Sequence, residues 1–474
     1  MLYNGSLWKD TSGQPLHAHG GGMLQSGPYI YWFGENRQGR KRVSCYRTTD
    51  MTNWEFRGDV LTLDSRFLPI DMRTSPELVT DKETGRGANI ERPKVIYNAA
   101  TGKYVMWMHW ENGQDYGAAR CAIASCDTVD GDYVYHGSFN PSGAMSRDCT
   151  LFVDDDGAAY FISAARDNAD LHMYRLSDDY LAIDEHVRTL WPSQYREAPA
   201  LVKRNGVYFM ISSGCTGWEP NQGKYAYSRS LTGRWSGLLD FGGPTTYDTQ
   251  PTFILPLQGE AGTSYWYVGD RWHPRDYHRS SYAILPIRFP DDTTMTLLWS
   301  DEVKVNAAEE SGDGTGAGAS HTELASAGGY IRILNRSRRY LAAEDDSSDA
   351  LIAETLAYDS TRQHWLLEQT ADGYVRIVSK ASGRCLEAVQ TPDRVEPVEL
   401  ALRPRADGDG QFWQFAAVES GGWSAVISRA TGLMLTMGGE RSGRLTAAPK
   451  HEDGAALRSQ SFLIAPHYGV SDHT

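Results

Sequence analysis

Apolar and polar positions alternate along the first two thirds of the chain in short bursts, with no long run of helical period. Five aromatic-rich bursts recur: Tyr29-Ile30-Tyr31-Trp32-Phe33-Gly34, Tyr104-Val105-Met106-Trp107-Met108-His109, Ala159-Tyr160-Phe161-Ile162-Ser163, Val207-Tyr208-Phe209-Met210-Ile211-Ser212 and Tyr265-Trp266-Tyr267-Val268-Gly269. Each reads as a buried strand. Another apolar run and a turn precede each burst, as in Leu201-Val202-Lys203 followed by Arg204-Asn205-Gly206. Asn-Gly and Asp-Gly supply the positive φ angles of tight hairpins. Units of about 50 to 75 residues with several antiparallel strands apiece fit the blades of a five-bladed β-propeller, which leaves few open sheet edges. A β-sandwich of irregular hairpins is the alternative, and the regular recurrence favours the propeller.

The pattern breaks over residues 306–328, which are Gly-rich and polar and read as a linker. Beyond it a second repeat occurs three times. Gly329-Tyr330-Ile331-Arg332-Ile333, Gly373-Tyr374-Val375-Arg376-Ile377 and Gly422-Trp423-Ser424-Ala425-Val426 open the copies. Gln363-His364-Trp365, Gln411-Phe412-Trp413 and Gln460-Ser461-Phe462 close them. The expected fold is therefore all-β: a propeller over 1–305, a linker over 306–328, a three-copy domain over 329–466 and a tail over 467–474.

Composition narrows the partners. Forty-six basic against 60 acidic residues give a net charge of −14, which disfavours nucleic acid and anionic membrane surfaces. No apolar run approaches the roughly 18 to 20 residues of a membrane span. Fourteen Trp and 26 Tyr suit sugar rings, whose C–H faces stack on aromatics. Cys45, Cys121, Cys126, Cys149, Cys215 and Cys385 form no paired CxxC, and several lie in apolar runs, so buried free thiols are expected rather than disulfides or zinc. No signal peptide is legible ahead of Met1-Leu2-Tyr3-Asn4.

The chemistry concentrates in four stretches that each set a polar group before an apolar run: Glu91-Arg92-Pro93, Ser146-Arg147-Asp148, Arg196-Glu197-Ala198-Pro199 and Thr249-Gln250-Pro251. In a propeller these are the starts of innermost strands, so Glu91, Asp148, Glu197 and Gln250 converge on one rim of the channel, with His19 at the matching place in blade one. Crowded carboxyls raise one another's pKa and keep one protonated near neutral pH. A protonated carboxyl beside a second polar group is what glycosidic cleavage requires. The spacing of His17, His109 and His273 matches no metal motif, and structural roles are expected for them, with no metal and no cofactor. Trp110, Trp218 and Trp272 are sugar platforms or inter-blade packing, and Trp218, in a Gly-flanked loop, is the best platform.

Two resemblances sharpen this reading. The closing Gln-x-Trp of the C-terminal copies resembles the ricin-type β-trefoil of carbohydrate-binding modules. That family binds sugar through an acid just after the Cys-Leu position; here the positions are Ala342, Glu387 and Thr436, which leaves one sugar site at Glu387 or a spacer role. Residues 5 to 305 resemble glycoside hydrolase family 43, and within it the exo-β-1,3-galactanases. The motifs that carry this likeness include Trp8-Lys9-Asp10-Thr11, Ala18-His19-Gly20-Gly21-Gly22, Tyr31-Trp32-Phe33-Gly34-Glu35, Glu91-Arg92-Pro93-Lys94, Tyr116-Gly117-Ala118, Ser146-Arg147-Asp148, Glu197-Ala198-Pro199, Thr216-Gly217-Trp218 and Gly269-Asp270-Arg271-Trp272.

The resemblance implies release of galactose from the non-reducing end of β-1,3-galactan, the backbone of arabinogalactan, with inversion. It implies Glu197 as general acid, Asp148 as its tuning partner, Glu91 as a galactose contact, and Glu35, Tyr116, Asn168 and Thr216 as further substrate contacts. The family's usual base, an Asp in blade one, is replaced here by His19-Gly20-Gly21, and Gln250 corresponds to its proposed substitute. A neutral amide is a poor base, so Gln250 acts through an imidic tautomer, or holds the water while Glu91 takes the proton. An arabinofuranosidase or xylosidase of the same fold, or a non-catalytic glycan-binding protein, are the rival readings. The polymeric substrate implies an extracellular protein, and a monomer is expected.

Overall fold

The computed structural model describes residues 1–70, 74, 77–259, 262–305, 329–358, 360–389, 397–418, 422–437, 445–451 and 457–468. The linker expected over 306–328 and the tail from 469 onward lie outside the described residues. The chain divides into two compact units, one holding residues 1–305 and the other 329–468.

In the first unit the strands group into five antiparallel four-stranded sheets, each built from consecutive strands. The innermost strands are His19–Ser26, Asn89–Asn98, Cys149–Val153, Arg196–Arg204 and Gln250–Gly259. They pack against one another in a closed ring, blade one against two, two against three, three against four, four against five, and five against one. The aromatic bursts are the second strand of each blade: Tyr29–Asn36, Lys103–Glu111, Ala159–Ala165, Val207–Gly214 and Gly262–Arg271. The Arg204 to Val207 hairpin turns on Asn205 and Gly206, both at positive φ (49° and 75°), as the primed hairpin turns require.

Packing between blades supplies the core. Trp8, Trp32, Trp54 and Tyr282 are buried where blade one meets blade five, and Trp107, Phe161 and Tyr174 join blade two to blade three. Leu2–Tyr3 pairs antiparallel with Glu302–Val303. The buried Asn4 amide donates to the Ile284 and Ser300 carbonyls and accepts from the Ile284 amide. The start of the chain is thereby fastened to the last blade.

The second unit is a β-trefoil around one core that includes Ile331, Trp365, Ile377, Trp413, Val426 and Phe462. Its Gln-x-Trp residues act as struts. Gln363, Gln411 and Gln460 each donate to a carbonyl, of Thr355, Pro404 and Pro449 respectively, and accept from the amide of Ala357, Ala406 and His451. Trp365 and Trp413 donate to the Leu341 and Leu386 carbonyls. The second amide hydrogen goes to Glu387 in the middle copy and Thr436 in the last, but to Glu354 in the first, where the expected position is Ala342. All six cysteines are free, with Cys45, Cys121, Cys149 and Cys385 buried.

Candidate active site

The polar residues that open the innermost strands share a local device. The pairing register slips between His19 and Gly22, Glu91 and Lys94, Glu197 and Ala200, and Pro251 and Phe253. The residue after the polar group has positive φ in three of these bulges: Gly20 (60°), Arg92 (53°) and Ala198 (52°). A bulge bends its strand and re-aims a side chain. Pro93, Pro199 and Pro251 stand where a ladder donor is dispensable. Glu91, Glu197 and Gln250, with Asp148 just ahead of its strand, line one cavity of about 340 Å³.

Glu197 sits at the centre of the network. Its Oε1 accepts from Gln250 Nε2 (3.0 Å) and its Oε2 from Asn168 Nδ2 (3.0 Å). Burial, followed by repulsion from Asp148, pushes its carboxyl up to about 8, so it carries a proton at neutral pH. Asp148 lies beside it, pairing with Arg92 at 2.9 Å and accepting from the Ala198 amide at 3.1 Å. Asn168 lies in a left-handed run with Arg166 and Asp167 (φ 50°, 53° and 63°), and its Oδ1 is buried without a hydrogen bond.

The Gln250 amide is saturated. Its oxygen accepts from Arg92 and from Trp272 Nε1 (2.7 Å), and its nitrogen donates to Glu197 and to Ser213 Oγ (3.0 Å). Arginine and indole nitrogens can only donate, so the orientation of the amide is fixed. A proton on its oxygen, as an imidic form requires, would face two donors.

Across the cavity Glu91 is bound on both oxygens. Oε1 accepts from Arg37 (2.7 Å) and the Tyr116 hydroxyl (2.7 Å), and Oε2 pairs with His109 Nδ1 at 3.3 Å. Burial opposes its ionisation, yet His109, Arg37 and Tyr116 hold it well below the ordinary carboxylate range. His109 Nε2 bonds Glu111 Oε1 at 2.9 Å. Burial lowers its basicity, but Glu111 and Glu91 outweigh this and push it up to about 9. Glu35 also lines the cavity, and Arg37 Nε donates to its Oε2 (2.8 Å). Burial first, then the Glu91 charge, raise its carboxyl to about 7 against the pull of Arg37. Glu91, His109 and Asp148 offer ligand atoms within 4.8 Å of one another. A His109 ring protonated on both nitrogens has no lone pair for a metal.

The cavity thus collects Glu35, Glu91, Tyr116, Asp148, Asn168, Glu197, Trp218 and Gln250. Thr216 departs from the expectation: its hydroxyl donates to the Glu219 carbonyl (2.6 Å) and accepts from Asn221 (2.7 Å), closing its own loop. His19 departs as well. It is fully buried, bonds Asp270 at 3.2 Å and stacks on Tyr282 at 4.5 Å. Its cross-strand partner Glu35 supplies the polar group of blade one instead. Trp218 stacks on Trp272 (5.6 Å, 11°) at the cavity wall, whereas Trp110 is buried and donates to the Glu77 carbonyl. Sequence reasoning gave no role to Arg37, Arg92 or Glu111. Arg92 stands inside the Glu91-Arg92-Pro93 stretch, where a cation directly after an acid was the available signal.

Comparison with known proteins places this geometry. The model of glycosyl hydrolases family 43 matches residues 22–238, and that of the ricin-type β-trefoil lectin domain-like family matches residues 322–399. An exo-β-1,3-galactanase from Clostridium thermocellum is 39% identical, over 98% of this chain and 99% of that one, with a TM-score of 0.60. The chain belongs to glycosyl hydrolase family 43. This family 43 enzyme is also 34% identical to a β-1,3-galactosidase solved with galactodeoxynojirimycin, over 64% of this chain and 100% of that one (TM-score 0.56). It is 26% identical to an exo-β-1,3-galactanase from Phanerochaete chrysosporium solved with β-1,3-galactotriose, over 98% and 92% of the two chains (TM-score 0.57). No curated protein matches it. It is a glycoside hydrolase of all-β architecture, a five-bladed propeller followed by a β-trefoil.

Proposed function

We propose that the propeller is an inverting exo-β-1,3-galactanase that releases galactose from the non-reducing end of β-1,3-galactan, including the backbone of arabinogalactan. The observation that carries the reading is the neutral Glu197 carboxyl, fixed through both oxygens at the wall of the cavity. Arg92 lines it and crosses from blade two to Asp148 and Gln250 of blades three and five, and Lys94 of the same strand reaches the Gly20 carbonyl of blade one (2.7 Å). A terminal galactose is placed in the cavity because the similar structures are named as exo-acting. The galactan specificity is drawn from the activities named for the similar structures.

Glu197 gives its proton to the departing glycosidic oxygen while water adds to the anomeric carbon from the opposite face. Asp148 keeps that proton in place before the reaction, and Arg92 steadies Asp148. Gln250 positions Glu197 through Oε1, because both lone pairs of its own oxygen are occupied. Glu91, ionised, accepts from galactose hydroxyls, and the paired Trp218 and Trp272 rings offer an apolar wall to the sugar face. The trefoil offers a second sugar contact at Glu387. A polymeric substrate puts the enzyme outside the cell, where it works as a monomer.

The test is product analysis on linear β-1,3-galactan. Galactose alone is expected, α-galactose appearing first by NMR, with no action on aryl arabinofuranosides; β-galactose as the first anomer refutes inversion. Glu197→Gln is expected to lower kcat on galactan about 10²- to 10⁴-fold, and far less on an aryl galactoside whose leaving group needs no proton.

A further inference from the structure

An inverting hydrolase needs a proton acceptor on the face opposite its acid, and we propose that Glu35 is that acceptor. The inference rests on the reading of the site as an inverting glycosidase. It begins from which oxygens in the cavity are free to take a proton. Gln250 has none, since its oxygen already accepts from Arg92 and Trp272. Glu91 carries Arg37 and the Tyr116 hydroxyl on one oxygen and the His109 ion pair on the other, and these hold it well below the ordinary carboxylate range, which makes it a poor proton acceptor though still able to accept from sugar hydroxyls. Asp148 is paired with Arg92 and the Ala198 amide, beside the acid rather than across from it. Glu35 differs: Arg37 occupies Oε2, and Oε1 makes no hydrogen bond among the described residues.

Position supports the same residue. Blade one is adjacent in the ring to blades two and five only, so Glu35 stands across the channel from Asp148 in blade three and Glu197 in blade four. Glu35 Oε1 lies 3.0 Å from where a Cβ at residue 20 would sit, and Arg92 Cδ lies 3.3 Å from the same point. Gly20, at φ 60°, therefore leaves open the ground over Oε1, and a side chain there would cover it. The charged groups facing Glu35 are Arg37 and Lys41 from the loop after its own strand and Glu91 and Arg92 from blade two, while the Tyr277 hydroxyl of blade five donates to its carbonyl at 3.1 Å. Burial and Glu91 raise its carboxyl to about 7, close to where a general base works best.

In the step, the water oxygen bonds to the anomeric carbon as the glycosidic C–O bond breaks. One water proton passes to Glu35 Oε1 and the Glu197 proton passes to the leaving oxygen. Glu35 then returns its proton, and Glu197 regains one, through solvent.

The experiment uses the full chain with β-1,3-galactobiose. Glu35→Gln, which keeps an oxygen for Arg37, is expected to lower kcat about 10²- to 10⁴-fold with KM changed only a few-fold, and to remove the acid limb of the kcat/KM profile. Glu35→Ala is expected to recover turnover with added azide and to yield α-galactosyl azide, the azide entering where water did. Binding of galactose, followed by calorimetry, monitors the fold of both variants. Glu35→Gln with kcat within about fivefold of wild type, or an unchanged acid limb, overturns the proposal. So does a galactose-binding Glu35→Ala that azide leaves inert. A wild-type enzyme that releases no galactose sinks the parent reading instead.

Discussion

The protonated state of Glu197 has a cost that can be measured in the fold. Its carboxyl is held at about 8 instead of the ordinary 4.5, with burial the first cause and Asp148 the second. Between those two values the unfolded chain has released the proton and the folded protein has kept it. The Glu197 contribution to stability therefore falls as pH rises from 4.5 to 8 and is level on either side. The difference of about 3.5 between the two values corresponds to about 5 kcal/mol at most, from 1.36 kcal/mol per pH unit. Glu197→Gln removes the titration and keeps the hydrogen bonds. The new amide oxygen accepts from Gln250, and its nitrogen donates to Asn168 Oδ1, which is buried and unbonded, once the Asn168 amide rotates. The variant is expected to match wild type at pH 4.5 and to exceed it at pH 9 by up to 5 kcal/mol. At about 2 °C per kcal/mol for a domain of this size, the propeller Tm gains up to about 10 °C. Scanning calorimetry at both pH values reads this directly. A variant that loses stability with pH in parallel with wild type refutes the reasoning, because some other group would then carry the strain.

Opposite pH shifts are expected from the two neighbours of Glu197: Asp148→Asn removes a repelling charge and moves the alkaline limb of kcat/KM down, whereas Gln250→Ala removes a donor to the ionised carboxylate and moves it up. Both are read from pH–rate profiles on galactobiose. His109, held near 9 by Glu111 and Glu91, contributes stability that is complete below pH 6.5 and lost as pH rises through 9, about 3 kcal/mol in all; His109→Gln should therefore destabilise the propeller strongly at pH 6 and little at pH 10, as followed by denaturant unfolding. Glu387→Ala is expected to weaken retention on insoluble galactan and leave kcat on galactobiose unchanged, a pull-down against a rate; unaltered retention refutes a sugar site there.

The architecture was legible because its signals are local. Aromatic bursts, Asn-Gly turns such as Asn205-Gly206 and three Gln-x-aromatic closures each repeat, and repetition survives without tertiary information. The polar openings Glu91, Asp148, Glu197 and Gln250 were legible for the same reason, since each stands before an apolar run. What the sequence did not display is where a side chain turns once the register slips. His19 and Glu35 are cross-strand partners, and which of the two faces the channel depends on the bulge at Gly20. Thr216 likewise looks available in sequence, yet Asn221 and the Glu219 carbonyl claim its hydroxyl within five residues.

The bulges also explain why acids from separate blades can share one cavity. A regular innermost strand alternates its side chains between the two faces of its sheet and would give the channel rim only what the pleat allows. An extra residue at positive φ after Glu91 and Glu197 breaks that alternation, at about 1 to 3 kcal/mol for each non-glycine residue so held. Arg92 occupies one of these strained positions and spends its guanidinium on Asp148, Gln250 and the Pro251 carbonyl. The same backbone distortion that aims Glu91 across the channel thus carries the cation that fixes the acid's neighbours. Strain at blade two and the ionisation of blades three and four are parts of one arrangement, and Arg92 is the side chain through which they are joined.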